Sequence, residues 1–209
     1  MKITGIMASF RDPKFVSGVQ PTLEVPPPST VLGLMSSACG KILSPNDVEF
    51  GYVFLYKDKG KDVELIYELT LKTKYSAKSN VVIREFLTFP ELYIYITDLG
   101  FEKYFRFPMF PLLLGRTQEL ARVEEVKRVE LKQTKPVRFG HTIVPFDFKG
   151  VGGVLIALPL YFEYNPFEPR IGQRIQPFIL VKSFINYSHQ PMFYDEEKKL
   201  GDILLWAII

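Results

Sequence analysis

The sequence predicts an α+β fold in which strands outnumber helices, and three observations support this prediction. Apolar and polar residues alternate in several aromatic-rich segments, residues 47–57 among them, which is typical of strands. Apolar residues recur at helical spacing in residues 29–39, where one face is apolar. The chain has 16 prolines in 209 residues, above the usual share of about 5%, so many segments should end sharply.

The predicted elements follow one another in the order β, α, β, hairpin, β, α, β. They are a strand at 2–10, a helix at 29–39 with Ser29 as N-cap and Gly40 as its stop, a strand at 47–57, a turn at 58–62, strands at 63–74, 81–89 and 92–97, a short helix capped by Asp98, and a strand at 122–132. This order is the split βαβ, or ferredoxin-like (RRM-like) βαββαβ, arrangement. Two long strands around a polar tip form a protruding hairpin at about 63–97.

The last third of the chain predicts a small C-terminal β-rich subdomain. From residue 136 onward the apolar runs are short and bounded by Pro or Gly. We therefore divide the chain into residues 1–135 and 136–209. The length of 209 residues fits one elaborated domain or two small ones.

The composition excludes several classes of protein. With 47% hydrophobic and 23% charged residues, the chain is globular. One Cys and two His allow no internal disulfide and almost no zinc ligand set, so we expect no metal and no cofactor. The first ten residues do not resemble a signal peptide, and no apolar run approaches the ~20 residues that span a bilayer. We expect a cytoplasmic protein that does not bind membranes.

The predicted hairpin carries a local positive charge. The 26 basic and 23 acidic residues give the whole chain a net charge of only +3. Residues 72–84 contain four basic residues and no acidic one, namely Lys72, Lys74, Lys78 and Arg84. With Tyr75 near its tip, such a hairpin can follow phosphates and stack on a base. The alternative is a solvated edge whose charges prevent aggregation.

The predicted helix start is a second candidate for phosphate contact. Ser29 and Thr30 follow three prolines, and a helix N-terminus offers free N–H groups with a partial positive charge. The alternative is an ordinary cap. Arg11 and Lys14 precede this turn, and they either face the same phosphates or are singly solvated cations.

Two further residues have both a functional and a structural interpretation. Arg116 follows Gly115 in a turn, and it either holds a carbonyl or carboxylate of its own chain or contacts RNA or a neighbouring subunit. His141 is suited to take the 2′-hydroxyl proton in metal-independent RNA cleavage. The alternatives for His141 are a structural histidine or one that touches RNA.

Several short motifs form a recognisable string. They are Ser9-Phe10-Arg11, Gln20-Pro21-Thr22, Pro26-Pro27-Pro28-Ser29-Thr30-Val31, Gly33-Leu34, Arg84-Glu85-Phe86-Leu87 and Leu114-Gly115-Arg116. Over residues 1–131 the chain resembles the CRISPR-associated RAMP-superfamily subunit that binds the crRNA 5′ handle in type I (Cascade) surveillance complexes. Its length and style are closest to those of subtype I-B.

The resemblance implies a ferredoxin-like domain with a thumb hairpin, acting as a non-catalytic crRNA 5′-handle-binding and assembly subunit. Such a subunit serves antiviral defence by RNA-guided DNA recognition. Its implied partners are crRNA, the repeated backbone subunit and the large subunit, with target DNA contacted indirectly. The RNA-binding candidates are Arg11, Lys14, Ser29, Thr30, Lys72, Lys74, Tyr75, Lys78, Arg84, Arg116 and His141.

The alternative function is a metal-independent endoribonuclease that processes precursor CRISPR repeat RNA. The resemblance implies this because subtype I-C members of the family cleave the repeat themselves. The resemblance implies that those members have a Lys-His dipeptide at this place. In this chain Gly140 precedes His141. A third reading, an RNA-recognition-like protein unconnected to CRISPR, requires the motif string to be coincidence.

Overall fold

The computed structural model describes residues 1–15, 18–70, 76–134, 137–163, 167, 171–189, 192–198 and 202–203. In this part of the chain there are seventeen strands and two α-helices. The strands are β1 (Lys2–Gly5), β2 (Met7–Ala8), β3 (Val19–Gln20), β4 (Phe50–Leu55), β5 (Asp58–Thr70), β6 (Ser76–Thr88), β7 (Glu91–Ile96), β8 (Leu112–Leu113), β9 (Leu120–Glu125), β10 (Lys132–Thr134), β11 (Val137–Phe139), β12 (Thr142–Pro145), β13 (Val154–Glu163), β14 (Ile171–Val181), β15 (Ile185–Tyr187), β16 (Met192–Tyr194) and β17 (Asp202–Ile203). The helices are α1 (Pro28–Cys39) and α2 (Glu102–Arg106), and 3₁₀ turns cover Pro45–Asp47 and Leu99–Phe101.

The first sheet has five strands in the spatial order β4-β7-β1-β9-β8, and all neighbours are antiparallel. Ile3 pairs with both Leu92 and Val123, and Leu92 also pairs with Phe54. Ile3, Leu92 and Phe54 are completely buried, because paired residues project to the same face. They belong to the main core, which also contains the buried face of α1.

Helix α1 begins one residue earlier than the sequence predicts. Pro27 is the N-cap and has no capping side chain, so the prediction of Ser29 as N-cap is wrong. Pro28 occupies the first helical position, where its fixed φ is already helical and its missing N–H costs nothing. Ser29 therefore lies inside the first turn and is buried. The predicted stop is confirmed, since Gly40 has φ 72° and its N–H donates to the carbonyl of Ser36.

Strands β5 and β6 form one long antiparallel hairpin, which pairs from Asp58 with Thr88 to Thr70 with Ser76. The predicted turn at 58–62 is wrong, because these residues are the first five of β5. Glycine fits at position 60 because it has no Cβ. A Cβ there would lie 2.6 Å from the ring of Phe86, the cross-strand partner of Gly60. The hairpin covers 58–88, whereas β7, which the sequence placed in it, belongs to the first sheet.

The base of the hairpin is widened by β2 and β3, which both pair with β6. The predicted first strand at 2–10 is divided at Ile6, whose side chain is 74% exposed, so that β1 and β2 join different sheets. The predicted strand at 122–132 is also shorter, since β9 ends at Glu125 and β10 starts at Lys132.

The C-terminal part is β-rich, as predicted, and shares the main core. The sheet β12-β14-β13 packs on α1 through β13, whose buried residues are Ile156, Leu158 and Leu160. A smaller cluster around Phe139 and Tyr187 holds β11, β15 and β16 together. The division at residue 135 stays a prediction. No helix in the described ranges is long and apolar enough to cross a membrane.

Candidate nucleic-acid interface

A pocket of about 280 Å³ opens between the hairpin base, the start of α1 and the turn that follows β8. We call it the arginine pocket. Its lining residues are Ser9, Phe10, Arg11, Gln20, Pro21, Thr22, Thr30, Arg84, Glu85, Gly115 and Arg116. Residues from five of the six motifs therefore meet at one site. Three of its residues are arginines, the side chain best suited to phosphate groups.

Arg116 is held by a buried carboxylate. Glu119 is only 1% exposed, and its Oε1 accepts hydrogen bonds from Nε of Arg116 at 2.9 Å and Nη2 at 2.8 Å. Its Oε2 accepts from the backbone N–H of Arg116 at 2.7 Å and from the hydroxyl of Ser9 at 2.8 Å. All these groups of the turn and Ser9 thus bond to the one carboxylate of Glu119. These bonds hold the guanidinium of Arg116 in place. Arg116 thus contacts a carboxylate of its own chain, which is one of the two roles expected from the sequence. Its Nη1 does not take part in this contact with Glu119.

Arg84 is held between two neighbours across the sheet. Its Nε donates to Oε2 of Glu64, and its Nη1 donates to the side-chain carbonyl of Gln20. Gln20 is the register partner of Arg84 in the parallel β3–β6 pair, which explains why their side chains meet. Nη1 of Arg116 lies 3.9 Å from the same oxygen of Glu64. One carboxylate oxygen therefore stands beside two guanidinium groups.

The opposite wall of the pocket is organised by Thr22 and Glu85. The hydroxyl of Thr22 accepts from the backbone N–H of Phe10 at 2.8 Å, and its own N–H donates to Oε2 of Glu85 at 3.3 Å. Lys59 forms a 2.7 Å ion pair with the same carboxylate. Burial alone would raise the pKa of Glu85, but its bonds to Lys59 and Thr22 hold the pKa below its ordinary value.

The pocket contains some of the predicted residues and not others. Arg11 lines it, is exposed, and has no ion-pair partner among the described residues. Thr30 lines it, but its N–H already donates to the carbonyl of Pro27 at 2.9 Å. Ser29 is buried and does not line the pocket. Lys14 is exposed and also lies outside the lining.

The outer part of the hairpin does not line the pocket. Lys78 is exposed on β6 and is the register partner of Glu68. Lys72, Lys74 and Tyr75, which the sequence placed at the tip, lie outside the described residues.

His141 lies apart from the arginine pocket. Its φ of 53° is unusual for a non-glycine residue, and its carbonyl accepts from the N–H of Phe54 at 2.9 Å. Its Nδ1 is buried without a hydrogen-bond partner among the described residues, and its ring meets Phe184 edge-on at 4.7 Å. Burial, and then the charge of Arg138, lower the pKa of His141 against a smaller opposing effect of Glu24.

Glu24 joins three segments next to this histidine. It accepts from the hydroxyl of Tyr56 at 3.2 Å and from Lys182 at 3.0 Å, and it lies 4.0 Å from Lys59. Burial would raise the pKa of Glu24, but these partners, led by Lys182, lower it. The cluster links the loop before α1 to the residue that follows β4, to the hairpin base and to the C-terminal part.

The face of the first sheet opposite α1 is closed. Val53, Tyr93 and Tyr95 project there and are at most 8% exposed. The hydroxyl of Tyr95 donates to Oδ2 of Asp195 at 2.9 Å, and Asp195 is itself buried. Aromatic side chains on such a sheet face stack on RNA bases in RNA-recognition motifs. Here Val129 and Leu131 of the segment after β9 pack on them and Asp195 bonds Tyr95, so these aromatic rings are not available for base stacking.

The hairpin exposes an apolar surface. Residues of β5 and β6 that share one face of the hairpin, together with Val19 beside them, are 38–67% exposed. We call this the hairpin apolar face, formed by Val19, Val63, Leu65, Tyr67, Val81 and Ile83. A contiguous exposed apolar patch is typical of an interaction surface.

Sequence reasoning missed the carboxylates that organise the pocket. Glu119 lies three residues after Arg116, a spacing that could have indicated the contact. Glu64 meets Arg84 and Arg116 only through strand register and folding of the hairpin, for which the sequence carries no local signal.

Comparison with known proteins identifies the fold. No protein-family model matches the sequence, and no curated protein does. Among solved structures, a chain of a "CRISPR RNA-guided surveillance complex" matches with a TM-score of 0.54 and 16% identity over 96% of both chains. A chain of a type III-B Cmr-beta complex bound to cognate target RNA matches with a TM-score of 0.57 and 11% identity, covering 88% of this chain and 86% of that one.

A further Cmr-beta structure, bound to cognate target RNA and AMPPnP, matches with a TM-score of 0.60 and 11% identity, covering 89% of this chain and 86% of that one. The chain therefore shares its fold with chains of these assemblies. The described residues agree with an α+β protein that is mostly β with two helices.

Proposed function

We propose that this chain is a crRNA-binding and assembly subunit of a CRISPR RNA-guided surveillance complex, without catalytic activity of its own. The observation that carries the proposal is the convergence of the Ser-Phe-Arg, Gln-Pro-Thr, Arg-Glu and Gly-Arg motifs on one arginine pocket. The fold shared with a chain of such a complex supports it. The finer assignment is to the subunit that holds the 5′ handle in a type I complex, in the style of subtype I-B.

The fold supports a ferredoxin-like reading of the first sheet. Along the chain β1, α1, β4, β7, α2 and β9 give the βαββαβ order, and β1 lies between β7 and β9 in the sheet. The 58–88 hairpin extends between the second and third of these strands. We assign it as the thumb.

The arginine pocket suits an RNA backbone rather than a base-reading surface. Three guanidinium groups at one site can each hold a phosphate oxygen, and Arg11 is available for this without losing an ion pair. On the sheet face used for base stacking in RNA-recognition motifs, Tyr93 and Tyr95 are buried beneath Val129, Leu131 and Asp195. We infer that RNA lies along the side of the molecule where the hairpin meets α1.

The assembly role is supported by the hairpin apolar face. Five of its six residues lie on the two adjacent strands of the hairpin. Burial of such side chains against another protein contributes about 25 cal/mol per Å² of apolar surface. The proposed partners are the repeated backbone subunit and the large subunit, and target DNA is contacted only through the complex.

The test incubates purified protein with end-labelled cognate repeat RNA in EDTA and compares native with denaturing gels. We expect shifted but intact RNA. Arg11→Ala should weaken binding severalfold and make the slope of log K against log salt shallower by about 0.7, the value for one single-strand phosphate contact. Lys41→Ala, an exposed cation outside the pocket, is the matched control and should change neither.

The alternative function is repeat cleavage by His141. Its left-handed backbone favours this, as does an Nδ1 without a hydrogen-bond partner in the part of the chain that the structure describes. The denaturing gel decides between the two. A single cut in EDTA that is lost in His141→Ala would make the chain a metal-independent endoribonuclease and overturn the non-catalytic proposal.

A further inference from the structure

Three carboxylates surround the three arginines of the arginine pocket. Two of them also accept hydrogen bonds or ion pairs from other groups of the protein. Glu119 is buried and accepts from the Arg116 side chain and backbone and from Ser9. Glu85 has a side chain that is 15% exposed and is held by Lys59 and by a backbone N–H. Their charges are part of the framework of the pocket.

Glu64 is different from these two carboxylates. Its side chain is 34% exposed, and its ion-pair partners within the described part of the chain are Arg84 and Arg116. It reaches them from β5, outside the residues that line the pocket. The same oxygen, Oε2, accepts from Nε of Arg84 and lies 3.9 Å from Nη1 of Arg116.

Each of the two guanidinium groups has another partner besides Glu64. Arg116 is bonded twice to Glu119 through Nε and Nη2, and Arg84 is bonded to Gln20. A carboxylate oxygen and a phosphate oxygen take up the same hydrogen-bonding geometry towards guanidinium. A phosphodiester also carries one negative charge, as Glu64 does, so replacing one by the other leaves the charge of the site unchanged.

We propose that Glu64 competes with an RNA phosphate for Arg84 and Arg116. A phosphodiester that enters the arginine pocket displaces the Glu64 carboxylate from both guanidinium groups. This inference rests on the proposed RNA-binding function. The side chain of Glu64 moves into water, which its partial exposure allows. RNA that presents a phosphate to both arginines gains their contacts, whereas a ligand that reaches only one of them still meets the repulsion of the Glu64 carboxylate.

The exchange also releases a contact of the hairpin. Glu64 belongs to β5, whereas Arg116 belongs to the turn after β8, so their ion pair ties the hairpin to the body of the protein. Binding of RNA in the pocket removes that tie.

The test is Glu64→Gln, which keeps the size of the side chain and removes its charge. Fluorescence anisotropy with end-labelled cognate repeat RNA should show that the Kd falls about tenfold, as expected when one competing charge-assisted contact is lost. Glu130→Gln makes the same change in net charge at an exposed position outside the pocket and should leave the Kd within about twofold. Melting temperatures of the variants check that each one is folded.

A second comparison separates exchange from a general change in charge. In an Arg84→Gln background, Glu64→Gln should give a much smaller gain in affinity, because one of the two contested arginines is absent. An equal gain in both backgrounds, or an equal gain from Glu130→Gln, would overturn the proposal. Weaker or unchanged RNA binding by Glu64→Gln would overturn it as well.

The outcomes also separate this inference from the proposed function. RNA binding by the wild-type protein without a gain in Glu64→Gln removes only the exchange. If neither the wild-type protein nor Glu64→Gln binds the RNA, both the exchange and the RNA-binding function are refuted.

Discussion

Gly115 is the residue on which the geometry of the arginine pocket depends most directly. Its φ is 137°, a conformation that side chains with a Cβ rarely adopt. A Cβ at this position would lie 2.2 Å from both the carbonyl oxygen of Ser9 and Oε2 of Glu119. The same buried carboxylate that holds Arg116 therefore excludes every other residue type from position 115.

We predict that Gly115→Ala lowers the free energy of unfolding by about 2–3 kcal/mol, because it adds both backbone strain and a clash with a fixed carboxylate. Gly33→Ala is the matched control, since it lies exposed in α1 with nothing within 4 Å of the added methyl group. That change should stabilise the protein by about 0.5–1 kcal/mol. Urea denaturation of both variants measures the difference, and equal effects would refute this account of Gly115.

At the scale of residues, the sequence predicts several residues of the site but not the contacts between them. Arg11, Thr30, Arg84 and Arg116 are all predicted from short motifs and all line one pocket. The motifs do not reveal that the carboxylates neutralise much of this positive charge, because the pairing of Glu64 depends on three-dimensional packing. Ser29 is wrongly assigned as a cap because two prolines begin the helix before it.

At the scale of elements, the hairpin has two faces of different character. Val63, Leu65, Val81 and their neighbours form the hairpin apolar face, while Glu64 and Arg84 project from the other face towards the body. The sequence shows the two strands, because both alternate. The sequence-based prediction places the start of the first strand too late, because a glycine at position 60 is typical of a turn. In the structure Gly60 lies within β5 and leaves room for the ring of Phe86.

We predict that a charge on the hairpin apolar face blocks assembly without unfolding the chain. Val81→Lys replaces a side chain that is 55% exposed, so the stability of the isolated protein should change by no more than about 0.5 kcal/mol. Copurification with the coexpressed backbone and large subunits of the same locus should be lost.

Asn80→Lys is the control for that prediction, because Asn80 is exposed on the opposite face of the same strand. It adds the same charge and should assemble normally. Normal assembly of Val81→Lys would mean that the apolar face is not the docking surface.

At the scale of the whole molecule, carboxylates with lowered pKa link the separate parts. Glu24 joins the loop before α1 to the residue that follows β4, to the hairpin and to the C-terminal part. Glu85 joins the hairpin to the loop at Thr22. The pKa values of both groups lie below the ordinary 4.5 in the folded chain. The unfolded chain therefore binds protons more readily, and the stability that these carboxylates contribute is present above pH 4.5 and lost below it.

We predict that the free energy of unfolding falls as the pH is lowered through about 4.5, with an earlier and smaller decline from about pH 6.5. The earlier decline comes from His141, because the unfolded chain takes up a proton that the folded chain resists. Urea titrations between pH 7 and pH 3 measure the curve.

Lys182→Met should flatten the lower step, since it removes the leading partner of Glu24. His141→Gln should remove the earlier decline. Curves that stay parallel to the wild-type curve in both variants would contradict these assignments.

The main core joins the buried face of α1 to Ile156, Leu158 and Leu160, which lie more than a hundred residues further along the chain. During synthesis the ribosome exposes α1 and the first sheet long before β13 emerges. Until then the part of the helix surface that β13 covers in the folded chain is open to chaperones or to other nascent chains. We expect the N-terminal half to complete its folding only after the C-terminal strands leave the ribosome, so that the timing of translation becomes part of how this fold forms.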